Sequence, residues 1–150
     1  MNNKSLKLAN QICFPIYLTS RLVTKTYKPF LDKMGITYPQ YLVLLVLWEC
    51  NNLSVTQIKE KLHLDTNTLS PMLSRMEKLK LIKKCKSHID ARNVIIQLNE
   101  KGKALKKQAN LIPKKLLEAL IDEKVSLSEI KELKNMLNEL TFILSSRGKN

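Results

Sequence analysis

Thr37-Tyr38-Pro39-Gln40 and Ser54-Val55-Thr56-Gln57 constrain the fold of this chain more than any other feature. Each has capping-box spacing. A hydroxyl can accept from the third backbone N–H of a helix, and a Gln can reach back to the cap's own N–H. Pro39 falls in the first turn, where a missing N–H is no loss. The first box opens the very apolar stretch Tyr41 to Glu49, which Asn51-Asn52 breaks, and the second opens a short helix to about Leu62. Leu64-Asp65-Thr66-Asn67-Thr68 is a polar turn in which Asp65 is the expected cap of the next helix. Along that helix Leu69, Met72, Leu73, Met76 and Leu79 recur at core spacing. Ile82 to Lys86 and Asn93 to Leu98 then read as short strands around the polar loop Ser87-His88-Ile89-Asp90-Ala91-Arg92, which predicts a β-hairpin. Short helix, polar turn, second helix and hairpin, in that order, are a helix-turn-helix followed by a wing.

Long helical patterns flank this module. From Leu6 to about Tyr27, residues such as Ala9, Ile12, Cys13, Ile16, Ser20, Val23 and Thr24 form one stripe of an amphipathic helix. Pro15 interrupts it. Either the helix bends there, or its regular part starts there and Cys13 sits at the N-terminal end, where unpaired N–H groups favour negative charge on sulfur. Met34-Gly35 closes this region. Asn99 is the expected cap of another long helix, with Pro113 marking a break or kink. Ser126-Leu127-Ser128-Glu129 starts a last helix carrying Ile130, Leu133, Met136, Leu137, Leu140, Ile143 and Leu144 at apolar spacing. The fold class expected is mainly α with a small β-hairpin wing, one domain over residues 1–150.

Charge names the partner. The 26 Lys and Arg face 13 Asp and Glu, a formal net charge of +13, which suits an anionic partner such as nucleic acid. Thr66, Asn67, Thr68 and Ser70 start the second helix with short hydrogen-bonding side chains that suit base edges and phosphates. Arg75, Lys78, Lys80, Lys83, Lys84 and Lys86 crowd its end and the first strand, opposed only by Glu77. Arg92 at the wing tip is placed for a minor groove, and Asp90 is its expected salt-bridge partner. Three cysteines without a CxxC argue against a disulfide framework or zinc ribbon. Isolated His63 and His88 give no metal-ligand spacing, so neither metal nor cofactor is expected. Three glycines form no phosphate-cradling loop, which argues against a nucleotide-dependent enzyme. The apolar run Tyr41 to Trp48 is too short to span a bilayer, and no signal peptide is evident; the expected location is cytoplasmic.

One residue asks for more than architecture. Cys13 lies in Gln11-Ile12-Cys13-Phe14-Pro15-Ile16-Tyr17, with tyrosines following at Tyr17, Tyr27 and Tyr38 in a chain poor in aromatics. A free cysteine is often a small buried hydrophobe, but phenolic hydroxyls around a thiol suit its ionised or oxidised form. The motifs decide between these. Asp90-x-Arg92 followed by Val94-Ile95-Ile96-Gln97-Leu98-Asn99-x-x-Gly102 resembles the wing signature of MarR-type winged-helix repressors. Gln11-x-Cys13-Phe14, Ile36-Thr37-Tyr38-Pro39-Gln40-Tyr41 and Leu64-Asp65-Thr66-Asn67-Thr68-Leu69-Ser70-Pro71-Met72-Leu73 look like its organic-hydroperoxide-sensing, OhrR-like branch and the related staphylococcal-type global regulators.

That resemblance implies a homodimer on a pseudo-palindromic operator in double-stranded DNA. Residues 1–36 and 99–150 would be dimerisation helices and residues 37–98 the DNA-binding module. It also implies a reactive Cys13, oxidised by organic hydroperoxide to a sulfenic acid, with Tyr27 and Tyr38 hydrogen-bonding it and Tyr17 nearby. Pro15 departs from the expected first helix, and no cysteine occurs in the last two helices, where a resolving thiol would stand. A small cellular thiol would cap the sulfenate instead. Cys50 reads as a helix-end core residue and Cys85 as a strand residue. Independently of any family, one helix spanning Cys13 and Tyr27 holds them roughly 21 Å apart at about 1.5 Å per residue, so those two can meet only across an antiparallel dimer. Other classes remain open: a ligand-responsive regulator in which Cys13 only packs, a thiol peroxidase, and a basic architectural or membrane-surface protein.

Overall fold

The computed structural model describes residues 4–86 and 94–147. The expected wing tip, with His88, Asp90, Arg92 and their salt bridge, lies outside the described residues. No helix among the described residues is long and apolar enough to cross a membrane. The chain divides into two compact units, Met1–Asn110 and Leu111–Asn150.

The first unit starts with two 3-10 turns, Lys4–Leu6 and Leu8–Asn10, and only then enters α1, Cys13–Met34. The apolar stripe beginning at Leu6 is therefore α-helical only from Cys13. Pro15 is the third residue of α1, in the first turn, so its missing N–H breaks no helical bond. The proline inside the helix is Pro29, which the apolar pattern does not flag. Gly35 ends α1 in a left-handed conformation, φ 67°, its N–H donating to the Asp32 carbonyl.

Both capping boxes are formed. The Thr37 backbone N–H donates to Gln40 Oε1 at 2.9 Å, and α2 runs Tyr38–Glu49. The Ser54 N–H donates to Gln57 Oε1 at 2.8 Å, and α3 runs Val55–Leu62. His63 closes α3 with φ 50°. The recognition helix of the motif, α4, is Thr66–Lys78. Asp65 stands at its cap position, yet the side chain makes no capping bond; its carbonyl accepts from the N–H groups of Thr68 and Leu69 at 3.0 Å each.

Sheet pairing adds an element that periodicity could not signal. Before α3 lies β1, Leu53–Ser54, and after α4 come β2, Ile82–Lys86, and β3, Val94–Leu98. The order is β1-β3-β2, all antiparallel, with Leu53 opposite Ile96 and Ile82 opposite Leu98. Asn51 serves more than helix termination, since its Oδ1 accepts from the Leu98 N–H at 3.0 Å. Val43, Leu44, Leu47, Ile58, Leu69, Leu73, Met76, Leu81, Ile82 and Ile96 are the fully buried core of this unit. Each such side chain contributes about 1.5–3 kcal/mol.

The unit closes with α5, Glu100–Ala109. Asn99 is at its cap position, but its amide is used elsewhere: Nδ2 donates to the Ile82 carbonyl at 2.9 Å, and the Asn99 backbone N–H donates to the Leu81 carbonyl at 3.0 Å. The helix then breaks at Asn110-Leu111, and Pro113 sits in the first turn of α6, Ile112–Leu120. In the second unit α6 is followed by α7, Leu127–Arg147. A third capping box starts α7, with the Ser126 N–H on Glu129 Oε2 at 2.7 Å and the Glu129 N–H on Ser126 Oγ at 3.3 Å.

Candidate functional site

The start of α4 offers what the sequence promised. Thr66, Asn67, Thr68 and Ser70 are all exposed, as is Arg75 one face further on, while Leu69, Met72, Leu73 and Met76 anchor the opposite side. Pro71 has no N–H for the Asn67 carbonyl, which leaves that oxygen on the same exposed first turns. Lys78, Lys80, Lys83 and Lys86 are also exposed. Lys84 is engaged differently. Its Nζ lies 2.8 Å from Ser74 Oγ and 3.7 Å from Glu77 Oε2, and its backbone N–H donates to Glu77 Oε1 at 3.1 Å. It therefore fastens β2 to the recognition helix, with less charge left for an outside phosphate than its neighbours have.

Cys13 is exposed and is the first residue of α1. Of the two placements open from the sequence, the helix N-terminus is the one adopted. Tyr27 lies on the same continuous helix, roughly 21 Å further along by helical rise. Within one protomer the two do not meet.

Tyr27 belongs instead to an aromatic cluster joining α1 to α2. Its ring is 4.7 Å from that of Tyr38 and 5.8 Å from that of Tyr41, and Tyr38 and Tyr41 are 6.4 Å apart. Sequence reading missed Tyr41 as a member, although its spacing three residues after Tyr38 puts the two on one helical face. Trp48, also on α2, continues the cluster at 6.1 Å from Tyr41. Tyr17 stands apart: it is exposed, with the Arg21 guanidinium 5.5 Å above its ring. Cys50 is exposed at the end of α2 and is not a core residue, because the helix stops there and the backbone becomes extended, off the buried face of α2. Cys85, on β2, directs its thiol to Gln97 Oε1 at 3.6 Å.

Burial, then the neighbouring Tyr38 and Tyr41 hydroxyls and a hydrogen bond to Tyr38, push the Tyr27 pKa up to about 12 from 10.0. Burial and then Tyr38 raise Tyr41 as well. Tyr27 is thus a neutral hydroxyl, able to donate, throughout the physiological range. Raising its folded-state pKa above the unfolded value favours the folded form fully below pH 10. That contribution fades as pH climbs through about 12. Denaturation midpoints measured from pH 9 to about 12.5 should accordingly fall more steeply for wild type than for Tyr27→Phe; parallel curves would contradict the assignment.

Beside the cluster runs a groove of about 550 Å³ lined by Arg21, Lys25, Lys28, Leu31, Ile36 and Tyr38, among others. It pairs cations with an apolar floor, although Lys28 is held by Asp32 at 2.6 Å.

The chain is similar to known transcriptional regulators. The transcriptional regulator SarA/Rot family matches residues 25–109. The chain is 49% identical to the organic hydroperoxide resistance transcriptional regulator of Bacillus subtilis, over 99% of this chain and 100% of that one. Reduced AbfR of Staphylococcus epidermidis, solved bound to DNA, superposes with a TM-score of 0.78 at 35% identity, covering 97% of this chain and 98% of that one. The overoxidized, DNA-bound form of AbfR gives 0.70 at 37% identity, over 93% and 99% of the two chains.

Proposed function

We propose, from the premise that this chain belongs to the MarR family of winged helix-turn-helix transcriptional regulators and to its organic-hydroperoxide-sensing branch, that it is a cytoplasmic homodimeric repressor released from a pseudo-palindromic operator when Cys13 is oxidised. The observation that carries the reading is the register of α1, with an exposed thiol at its first residue and the Tyr27–Tyr38 pair near its far end. Antiparallel α1 helices of two protomers would bring each thiol to the other's tyrosines.

Uncovered apolar rows support a dimer. On α1, Ile16, Tyr17, Leu18 and Leu22 are exposed, and on α7 so are Leu133, Met136, Leu137, Leu140, Ile143 and Leu144. A monomer would leave this surface in water, whereas a two-fold interface removes it. Exposed Thr66, Asn67, Thr68 and Ser70 would read the major groove, with Arg75 and Lys86 on phosphates and Arg92 in the adjoining minor groove.

In the redox step the Cys13 thiolate attacks the terminal oxygen of the hydroperoxide. An S–O bond forms, the O–O bond breaks, and the alkoxide leaves with a proton as alcohol, so sulfur is oxidised and peroxide reduced. A small cellular thiol then displaces the hydroxyl, forming a mixed disulfide and water. The adduct displaces Tyr27 and Tyr38 and shifts the recognition helices off their half-site spacing. One oxidation per thiol is a signal and not turnover, so the protein acts as a regulator and not an enzyme.

Fluorescence anisotropy on the adjacent intergenic DNA, with excess nonspecific competitor, tests the reading. Tight binding should weaken on adding organic hydroperoxide and recover with reductant; binding that competitor abolishes would return the chain to the architectural class. The two kinds of DNA contact should also separate. Asn67→Ala relaxes base preference, while Lys86→Ala weakens all sequences alike and lowers the salt slope by about one. The cationic groove beside Tyr38 favours one second reading, a regulator released by an anionic or phenolic effector with Cys13 still reduced.

A further inference from the structure

Trp48 is the only tryptophan of the chain, and its contacts leave α2 in two directions. On one side its ring meets Tyr41 edge-on at 6.1 Å, and Tyr41 touches both Tyr27 and Tyr38. On the other its Nε1–H donates to the carbonyl of Gly102, in the first turn of α5, at 2.9 Å. Lys106 Nζ, one turn later on α5, holds the Trp48 carbonyl at 3.3 Å. The indole is therefore a bolt between α2 and α5.

Beyond Gly102 there is no slack. A Cβ there would stand 2.2 Å from the Leu81 carbonyl oxygen, so the α5 backbone rests directly on the chain that leads into β2. Asn99 pins the same place, with bonds to the Leu81 and Ile82 carbonyls. From β2, Lys84 returns to Ser74 and Glu77 on α4. A displacement of Gly102 must therefore move the root of β2, and with it the C-terminal end of the recognition helix. Each link is a packed ring, a short hydrogen bond or a backbone contact, the kind of contiguous path that can carry coupling.

We infer that Trp48 couples the tyrosine cluster to the DNA-binding module, with its indole N–H on Gly102 as the joint that transmits the oxidised state. This rests on the reading in which Cys13 oxidation disturbs Tyr27 and Tyr38. When those rings shift, Tyr41 moves against the indole, and the indole alters its hold on α5. An indole that merely anchors two helices would affect stability alone, since buried Trp N–H groups usually find a partner.

Trp48→Phe separates these roles, because it keeps a ring against Tyr41 and removes the donor. The rate at which Cys13 forms sulfenic acid, trapped by a dimedone-type probe, should be unchanged. Affinity of the reduced protein for operator should stay within about threefold of wild type. The loss of affinity on oxidation should shrink by about tenfold, the size of a typical coupling. A variant released by hydroperoxide as fully as wild type overturns the inference, whatever its melting temperature. Wild-type protein gives a second measurement that needs no variant. Trp48 emission, uncontaminated by other tryptophans, should shift on oxidation with the time course of DNA release; emission that stays constant through release equally overturns it. Cys13→Ser, run alongside, tells the two failures apart. If that variant is still released by hydroperoxide the sensor reading fails; if it resists while Trp48→Phe is released normally, only the coupling fails.

Discussion

Cys13→Ser remains on its operator when organic hydroperoxide is added, while wild type dissociates. The serine hydroxyl is close in size to the thiol, suits the first residue of α1, and cannot be oxidised by a peroxide. Since Cys13 is solvent-exposed in the protomer, the exchange removes no core packing. Affinity of wild type should fall by a factor on the order of 5–150 on oxidation, the usual range for coupling between two sites, and for the variant by none. Anisotropy titrations of reduced and peroxide-treated protein measure both ratios. Cys50→Ser and Cys85→Ser are the controls. Cys50 is also exposed, at the end of α2, and if its replacement rather than that of Cys13 silences the response, the sensor has been misassigned. Cys85, whose thiol points at Gln97 within the sheet, should respond as wild type does.

Gly102→Ala carries the largest expected structural effect. Alanine normally favours a helix interior over glycine by about 1 kcal/mol, so sequence rules predict a stabilised protein. The structure predicts the reverse. The added Cβ would meet the Leu81 carbonyl oxygen at 2.2 Å and the Leu81 carbonyl carbon and Leu98 Cδ2 at 3.1 Å each. The nearest obstacle is backbone, held by Asn99, so no side chain can rotate away. Overpacking of this kind costs about 1–3 kcal/mol and occasionally more. With the helix gain of about 1 kcal/mol offset, a net loss of about 1–2 kcal/mol is expected, a fall of roughly 2–8 °C in melting temperature for a chain of this length. Thermal denaturation of the reduced protein measures it. A variant more stable than wild type would mean that α5 does not approach β2 as closely as described. DNA affinity should drop with stability, because the displaced segment is the root of β2.

Much of the module is legible because its signals are local. A capping box acts between residues three apart, and both boxes ahead of α3 formed as read. The apolar spacing of α4 marks its buried side from Leu69 to Met76, although Leu79, read as core, lies past the helix end and is exposed; Thr66, Asn67, Thr68 and Ser70 face outward. Errors gather where a residue's partner is far along the chain. Asn99 looks like a side-chain cap, yet it spends its amide on Ile82; Asp65 also makes no side-chain cap, for which the structure shows no competing partner among the described residues. Cys50 looks like helix-end core because its neighbours are apolar, but burial depends on what packs opposite, and Cys50 is exposed. Pro15 looks disruptive only until the helix start is known.

Legible in the sequence alone are the order of helices, the capped starts of α2, α3 and α7, the exposed reading face and a thiol far from Tyr27 on any helix that holds both. All of these follow from backbone hydrogen bonding and helical periodicity within a turn or two. It took the packed fold to establish that Leu53–Ser54 completes the sheet, that the long helix after Asn99 breaks before Pro113, that Tyr41 joins Tyr27 and Tyr38, and that Trp48 clasps Gly102. These depend on groups brought together across some 40 residues or more in several cases. Their energies arise only once the core has closed around them, and local pattern gives at most a hint, as the Tyr38–Tyr41 spacing and Pro113 do.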